Sequence, residues 1–240
     1  MKINCKGLHH QQINEAIYAA KDSEIILNDC LGQRFIAAGL GGKTLNIYGI
    51  PGNALGCYLD GTVIRVHGNG QDAIGGTMND GRIFIHGSCG DAPGYAMRGG
   101  KIMTRGDIGY RGGIHMKEYQ DKIPVLIVGG NAGSFLGEYQ AGGRIIVLGL
   151  GVEEKPRVGY FCGTGQHGGK IFLRGETLTA DVPRQVTAKK ATTEDKEEIR
   201  GDLLEFCAEF GGDAAELLKD TFFVLTPNTK NPYKQLYTSH

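Results

Sequence analysis

"LDGTVIRVHG" (residues 59–68) alternates aliphatic and polar residues and then stops on a glycine. It does not stand alone. "LGGKTLNIYG" (40–49) precedes it, and "NDGRIFIHG" (79–87) and "RGGKIMTRG" (98–106) follow it. Looser copies are "KIPVLIVG" (122–129), "AGGRIIVLG" (141–149) and "HGGKIFLRG" (167–175). Their closing glycines, Gly49, Gly68, Gly87, Gly106, Gly129, Gly149 and Gly175, lie 19, 19, 19, 23, 20 and 26 residues apart. Counting two and four residues back from each gives Leu45/Ile47, Ile64/Val66, Ile83/Ile85, Ile102/Thr104, Val125/Ile127, Ile145/Val147 and Ile171/Leu173. All but Thr104 are aliphatic, the period-two signature of a strand with one buried face.

One such strand cannot bury its face alone, whereas stacked copies make a continuous core. Between the strands, "NALGCYL" (53–59), "DAIGGTM" (72–78) and "DAPGYAM" (91–97) match in position and read as corners. The expected fold is therefore all-β, a single-stranded parallel β-helix of about seven turns. Handedness is not in the period, but a repeat of nineteen fits the six-residue multiples of left-handed helices poorly, which favours the right-handed form.

The ends differ from this middle. Leu8, Ile13, Ala16, Ile17 and Ala20 form a helical stripe over 8–21, and "EIILND" (24–29) reads as a first strand, so 1–30 is expected to cap the coil's open edge. Residues 31–178 form the β-helix, and 179–240 a small helical appendage. In that appendage Thr192 and Asp195 resemble a helix start. Ile199, Leu203, Phe206 and Phe210 follow at helical spacing, Gly211-Gly212 ends the helix, and "TFFVLTP" (221–227) reads as a closing strand.

Residues three and one before each closing glycine point outward. They run from polar (Asn46/Tyr48, Arg65/His67) to apolar in the later copies. Met103, Leu126, Val128, Ile146, Leu148 and Phe172 thus form an apolar outer surface that either the C-terminal helices or a partner must cover. Two insertions break the period, around Tyr119 and around Glu153, Glu154 and Arg157. They are candidate interaction loops or simply tolerated length.

Composition narrows the chemistry. With 26 Lys+Arg against 26 Asp+Glu the chain lacks the basic excess of a nucleic-acid binder. No long apolar run or leader pattern is present, which points to a cytoplasmic location without a membrane span. The six cysteines are too far apart for a local metal pair. His67 and His86 share a repeat position and read as an outer-face ladder rather than a metal pair. Asn53, Asp72 and Asp91 read as a turn ladder rather than an acid–base pair, and Cys162, near His167, as a buried apolar side chain. "GTGQHGG" (163–169) spells the G-x-G-x-x-G of a dinucleotide loop, but it aligns with the corner before a strand, where no helix N-terminus would meet a pyrophosphate.

"PGNALG" (51–56), "NGQDAIGGTMNDGRIFIHG" (69–87), "GDAPGYAMRGGKI" (90–102), "RGDIGYRGGIHMKEY" (105–119) and "GGNAGSFLGEYQAGGRIIVLGL" (129–150) together resemble the GXGXG domain of the glutamate synthase large subunit. A similar domain occurs in the C subunit of formylmethanofuran dehydrogenase. The resemblance implies a stand-alone structural subunit that docks a glutaminase and a flavin subunit. The FMN and the iron–sulfur cluster would sit on those partners, and no catalytic, cofactor or metal residue is carried over to this chain. Two alternatives remain at this point: the same role in another redox complex, and an independent polysaccharide-acting enzyme. A homo-oligomer is also left open.

Overall fold

A computed structural model describes residues 1–151 and 157–228. In chain order the elements are β1 (Lys2–Asn4), α1 (His10–Ala19), β2 (Glu24–Leu31), β3 (Thr44–Ile50), β4 (Asp60–His67), β5 (Asp80–Ile85), β6 (Lys101–Thr104), β7 (Val125–Val128), β8 (Ala141–Val147), β9 (Gly168–Arg174), β10 (Val186–Lys190), α2 (Thr193–Phe210), α3 (Ala214–Lys219) and β11 (Phe222–Pro227).

These strands form a single eleven-stranded sheet in the order β1-β2-β3-β4-β5-β6-β7-β8-β9-β11-β10. Neighbours from β1 to β9 pair in parallel, whereas β11 pairs antiparallel with both β9 and β10. This corrects the expected seven-turn right-handed β-helix with a helical appendage. The architecture is one mostly parallel sheet. Its first two strands precede the glycine-closed repeat, and its last two come from the tail. Period-two alternation reports a buried strand face but not how the chain closes around it. Lys2–Asn4 and Val186–Lys190 carry too little alternation to announce themselves.

The glycine-closed segments do pair in register, with Ile64↔Ile83, Ile83↔Ile102 and Ile145↔Ile171. One sheet face buries Leu45, Ile64, Ile83, Ile102, Ile145 and Ile171 against Leu55, Ile74, Met78, Met97 and Leu136 of the connecting segments. Those segments also bond to one another through their backbones: Ala54 N–H to Asp72 O, Ala73 N–H to Asp91 O, and Ala92 N–H to Tyr110 O. In the same row Phe35, Ala54, Ala73, Ala92, Arg111, Phe135 and Phe161 all adopt φ between 55° and 62°. A left-handed non-glycine residue costs about 1–2 kcal/mol. In the six positions from Phe35 to Phe135 the row persists because an N–H bond to the following segment over-determines the backbone.

β7 departs from the sequence reading by one residue. Leu126 pairs with Ile102 and Val128 with Thr104, so Leu126 and Val128 point into the inner core, and Val125 and Ile127 point outward. The cause is the doubled glycine. Gly130, not Gly129, is the counterpart of Gly106, because Gly130 N–H bonds to Gly106 O and Gly149 N–H to Gly130 O. Miscounting by one moves every side chain to the other face.

Gly201 sits inside α2 in a helical conformation, and a β-carbon built on it meets nothing within 4 Å. Gly201→Ala is therefore expected to stabilise the protein by about 0.5–1 kcal/mol through higher helix propensity. The check is a higher urea midpoint at unchanged slope.

Candidate functional site: the outer sheet face and its covering helix

The outer face of the sheet carries three parallel rows of side chains. The first runs Val63, Arg82, Lys101, Val125, Arg144, Lys170, and the second Arg65, Phe84, Met103, Ile127, Ile146, Phe172. The third includes His67, His86, Leu148 and Arg174. Helix α2 lies across them. Its Ile199, Leu203 and Phe206 bury against Phe84, Met103, Val125, Ile127, Ile146, Leu148 and Phe172, with Phe222 and Val224 of β11 in the same cluster.

Five of the seven acidic side chains of α2, Asp195, Glu198, Asp202, Glu205 and Glu209, are spaced three and four residues apart and so lie on one face. They meet the basic row strand by strand. Lys170 Nζ lies 3.2 Å from Asp195 and 2.5 Å from Glu198, Arg144 Nε 2.9 Å from Asp202, and Lys101 Nζ 2.8 Å from Asp202 and 2.7 Å from Glu205. Arg82 Nε is 2.6 Å from Glu205, while Arg65 Nε and His86 Nε2 each lie 3.0 Å from Glu209. The fit is metric. Asp195 to Glu209 spans about 21 Å of helix, and β9 to β4 is five strand spacings, about 24 Å. Long side chains take up the difference.

The helix start is fixed by Thr192, whose hydroxyl accepts from the Asp195 backbone N–H while the Asp195 carboxylate accepts from the Thr192 N–H. Burial alone would raise the Asp195 carboxyl. The Thr192 backbone N–H, the Lys170 ammonium and the Thr192 hydroxyl prevail and hold it below its ordinary value of 3.8. Because the folded value is the lower one, the unfolded chain takes up the proton first on acidification. The stabilisation is complete above pH 3.8 and is lost as pH falls through the lower folded value. The expected result is a melting temperature that drops on acidification in that window, with a shallower drop in Asp195→Asn.

The other sequence candidates fall as follows. Met103, Ile146, Leu148 and Phe172 pack under the tail, whereas Leu126 and Val128 do not reach it. Tyr119 is exposed at a tight turn in which its backbone bonds both ways with Lys122. Arg157 donates to Gly149 O at 2.6 Å and to Arg174 O at 3.2 Å, tying strand ends together. Glu153 and Glu154 lie outside the described residues.

His67 stacks between Tyr48 at 4.4 Å and His86 at 5.1 Å. Burial lowers its affinity for a proton, as does the neighbouring His86. Asn53 Oδ1 accepts from Asp72 N–H, Asp72 Oδ1 from Asp91 N–H, and Asp91 Oδ1 from Tyr110 N–H, so these side chains bond the next segment's backbone. Burial pushes the Cys89 and Cys162 thiols up to about 12, which keeps both protonated and poor nucleophiles.

In "GTGQHGG", Gly163 and Gly165 have φ of 73° and 68°, and Gly163 N–H bonds to Leu136 O of the preceding segment. Gln166 is buried and donates to Gln140 Oε1 at 3.1 Å. Gly168 opens strand β9, so no helix N-terminus follows the glycines. The matched acidic and basic rows were not anticipated. Their signal was present as the recurring "DGR" (80–82), "GGK" (99–101), "GGR" (142–144) and "GGK" (168–170) at strand starts, set against the three–four spacing of Asp195, Glu198, Asp202, Glu205 and Glu209.

Comparison with known proteins places these features in a wider context. The family described by the GXGXG motif matches residues 20–230. An uncharacterized protein, MJ1350, of Methanocaldococcus jannaschii is 45% identical over 251 aligned residues, covering 98% of this chain and 95% of the relative.

Proposed function

Because the chain belongs to the GXGXG family, we propose that it is a structural subunit of a glutamate-synthase-type assembly. In this reading it holds a glutaminase subunit against an FMN and iron–sulfur subunit, and those partners convert glutamine and 2-oxoglutarate to glutamate. The family match over residues 20–230 carries the reading. The motif resemblance across 51–150 supports glutamate synthase as the type of assembly.

The chemistry of the outer face is compatible with that role. Its Arg82, Lys101 and Arg144 are engaged by α2, and the thiols of Cys89 and Cys162, in the inner core on the other side of the sheet, are buried and protonated. A sheet bonded strand to strand and segment to segment is a stiff platform, and partner subunits that exchange a reactive intermediate require a fixed separation. The test is co-expression with glutaminase and flavin subunits followed by size-exclusion chromatography. Co-elution of all three is expected. If the two enzymes associate while this chain elutes apart, the reading fails. Capture by molybdenum- or tungsten-enzyme subunits instead would assign it to a different redox complex.

A further inference from the structure

An open cavity of about 1040 Å³ lies where the C-terminal ends of β1 and β2 meet the start of α1. Lys6, His9, His10 and Arg34 line it, with one carboxylate, Asp29, which accepts from Asn4 Nδ2 at 2.7 Å. Neither Lys6 nor Arg34 has a carboxylate partner among the described residues. This contrasts with the basic row under α2, where the cations are paired. Leu31 lines the same cavity at 80% exposure, beside its strand neighbour Ile50 at 39% and near Phe35 at 45%, whose ring lies 5.9 Å from His10.

We propose that this cavity docks an acidic segment of a partner polypeptide, its carboxylates meeting Lys6 and Arg34 and an aliphatic side chain covering Leu31 and Ile50. The charge fixes the sign of the occupant: Lys6 and Arg34 against the single carboxylate of Asp29 leave a cationic surplus. The size and rim fix its kind. The volume sits at the upper end of about 300–1,000 Å³ for small-molecule pockets, and the apolar residues spread beyond the cavity mouth onto the open surface. A polypeptide covers both parts, whereas a small anion fills only the first. Aromatic and aliphatic anchors ringed by charges are the profile of a protein–protein contact. The inference deepens the docking role proposed above and rests on it.

Two measurements test it. The first is fluorescence anisotropy of a labelled Glu-Leu-Glu-Glu-Leu peptide on the full chain, against Lys-Leu-Lys-Lys-Leu. Binding of the acidic peptide alone is expected. It should weaken as NaCl rises and fall at least about tenfold in the double variant Lys6→Glu/Arg34→Glu, but not in Lys21→Glu on another part of the surface. Equal binding by the double variant, no binding by the wild type, or complete displacement by millimolar inorganic phosphate would overturn it, the last by showing a small-anion site. The salt titration gives the same readout without any substitution, should the double variant fold poorly. The second measurement repeats the three-subunit co-elution with the double variant. Loss of co-elution supports the inference, and retention refutes it while leaving the structural-subunit reading intact. If the wild type itself fails to co-elute, that reading fails, and the peptide titration alone decides the cavity.

Discussion

Replacing Asp202 with Ala is expected to destabilise the protein by about 3–5 kcal/mol, the cost of removing one partner from a buried ion pair. Asp202 is 2% exposed and sits between Lys101 Nζ at 2.8 Å and Arg144 Nε at 2.9 Å. The two cations do not lose equally. Lys101 keeps Glu205 at 2.7 Å, whereas Arg144 is left with Glu198 at 3.9 Å, so the uncompensated charge is that of Arg144. Three comparisons follow. Asp202→Asn, which keeps an acceptor and the shape, should lose less. Arg144→Ala in the Asp202→Ala background should cost less than Arg144→Ala alone, the mark of a coupled pair. Glu205→Ala, at a more exposed pair, should cost about 1 kcal/mol or less. Urea denaturation of the five variants decides among these. An Asp202→Ala loss no larger than that of Glu205→Ala would show that the helix is held by its apolar stripe alone.

Gly168→Ala is expected to cost about 3 kcal/mol or more, at the top of what overpacking does. A β-carbon there would stand 2.1 Å from Ala141 O and 2.6 Å from Ala141 C. Those are backbone atoms of the neighbouring strand, so no side chain can yield. β8 and β9 must separate where Ala141 pairs with Gly168. Gly201→Ala, with open space around it, serves as the control and should move stability the other way. A Gly168→Ala protein as stable as the wild type would mean that the strands approach less closely than described.

Much of this was readable in the chain. The glycine-closed segments, the helix from Thr192 and the strand at 221–227 follow from period, capping and turn chemistry. What escaped has identifiable causes. The slip in β7 came from Gly129-Gly130, two adjacent glycines of which only the second closes the strand. The left-handed row was hidden because Phe35, Ala54, Arg111 and Phe135 fill positions where glycine is the usual signal. The seven-turn expectation fails because period two reports a buried strand face and not the chain's path between strands, and because β1 and β10 are short with too little alternation to read as strands. Of the outer surface, Met103, Ile146, Leu148 and Phe172 were legible from period two, but their partner helix was recognisable only by setting the acids of 195–209 against the basic row.

The most direct test of the structural-subunit account is reconstitution of glutamine-dependent glutamate formation from separately purified glutaminase and flavin subunits, with and without this chain. The account predicts that adding the chain raises coupled turnover, while glutamine hydrolysis and flavin reduction by the separate subunits stay as they were and the flavin absorbance stays with the partner. Full coupled turnover without the chain, or turnover by the chain alone, would contradict it.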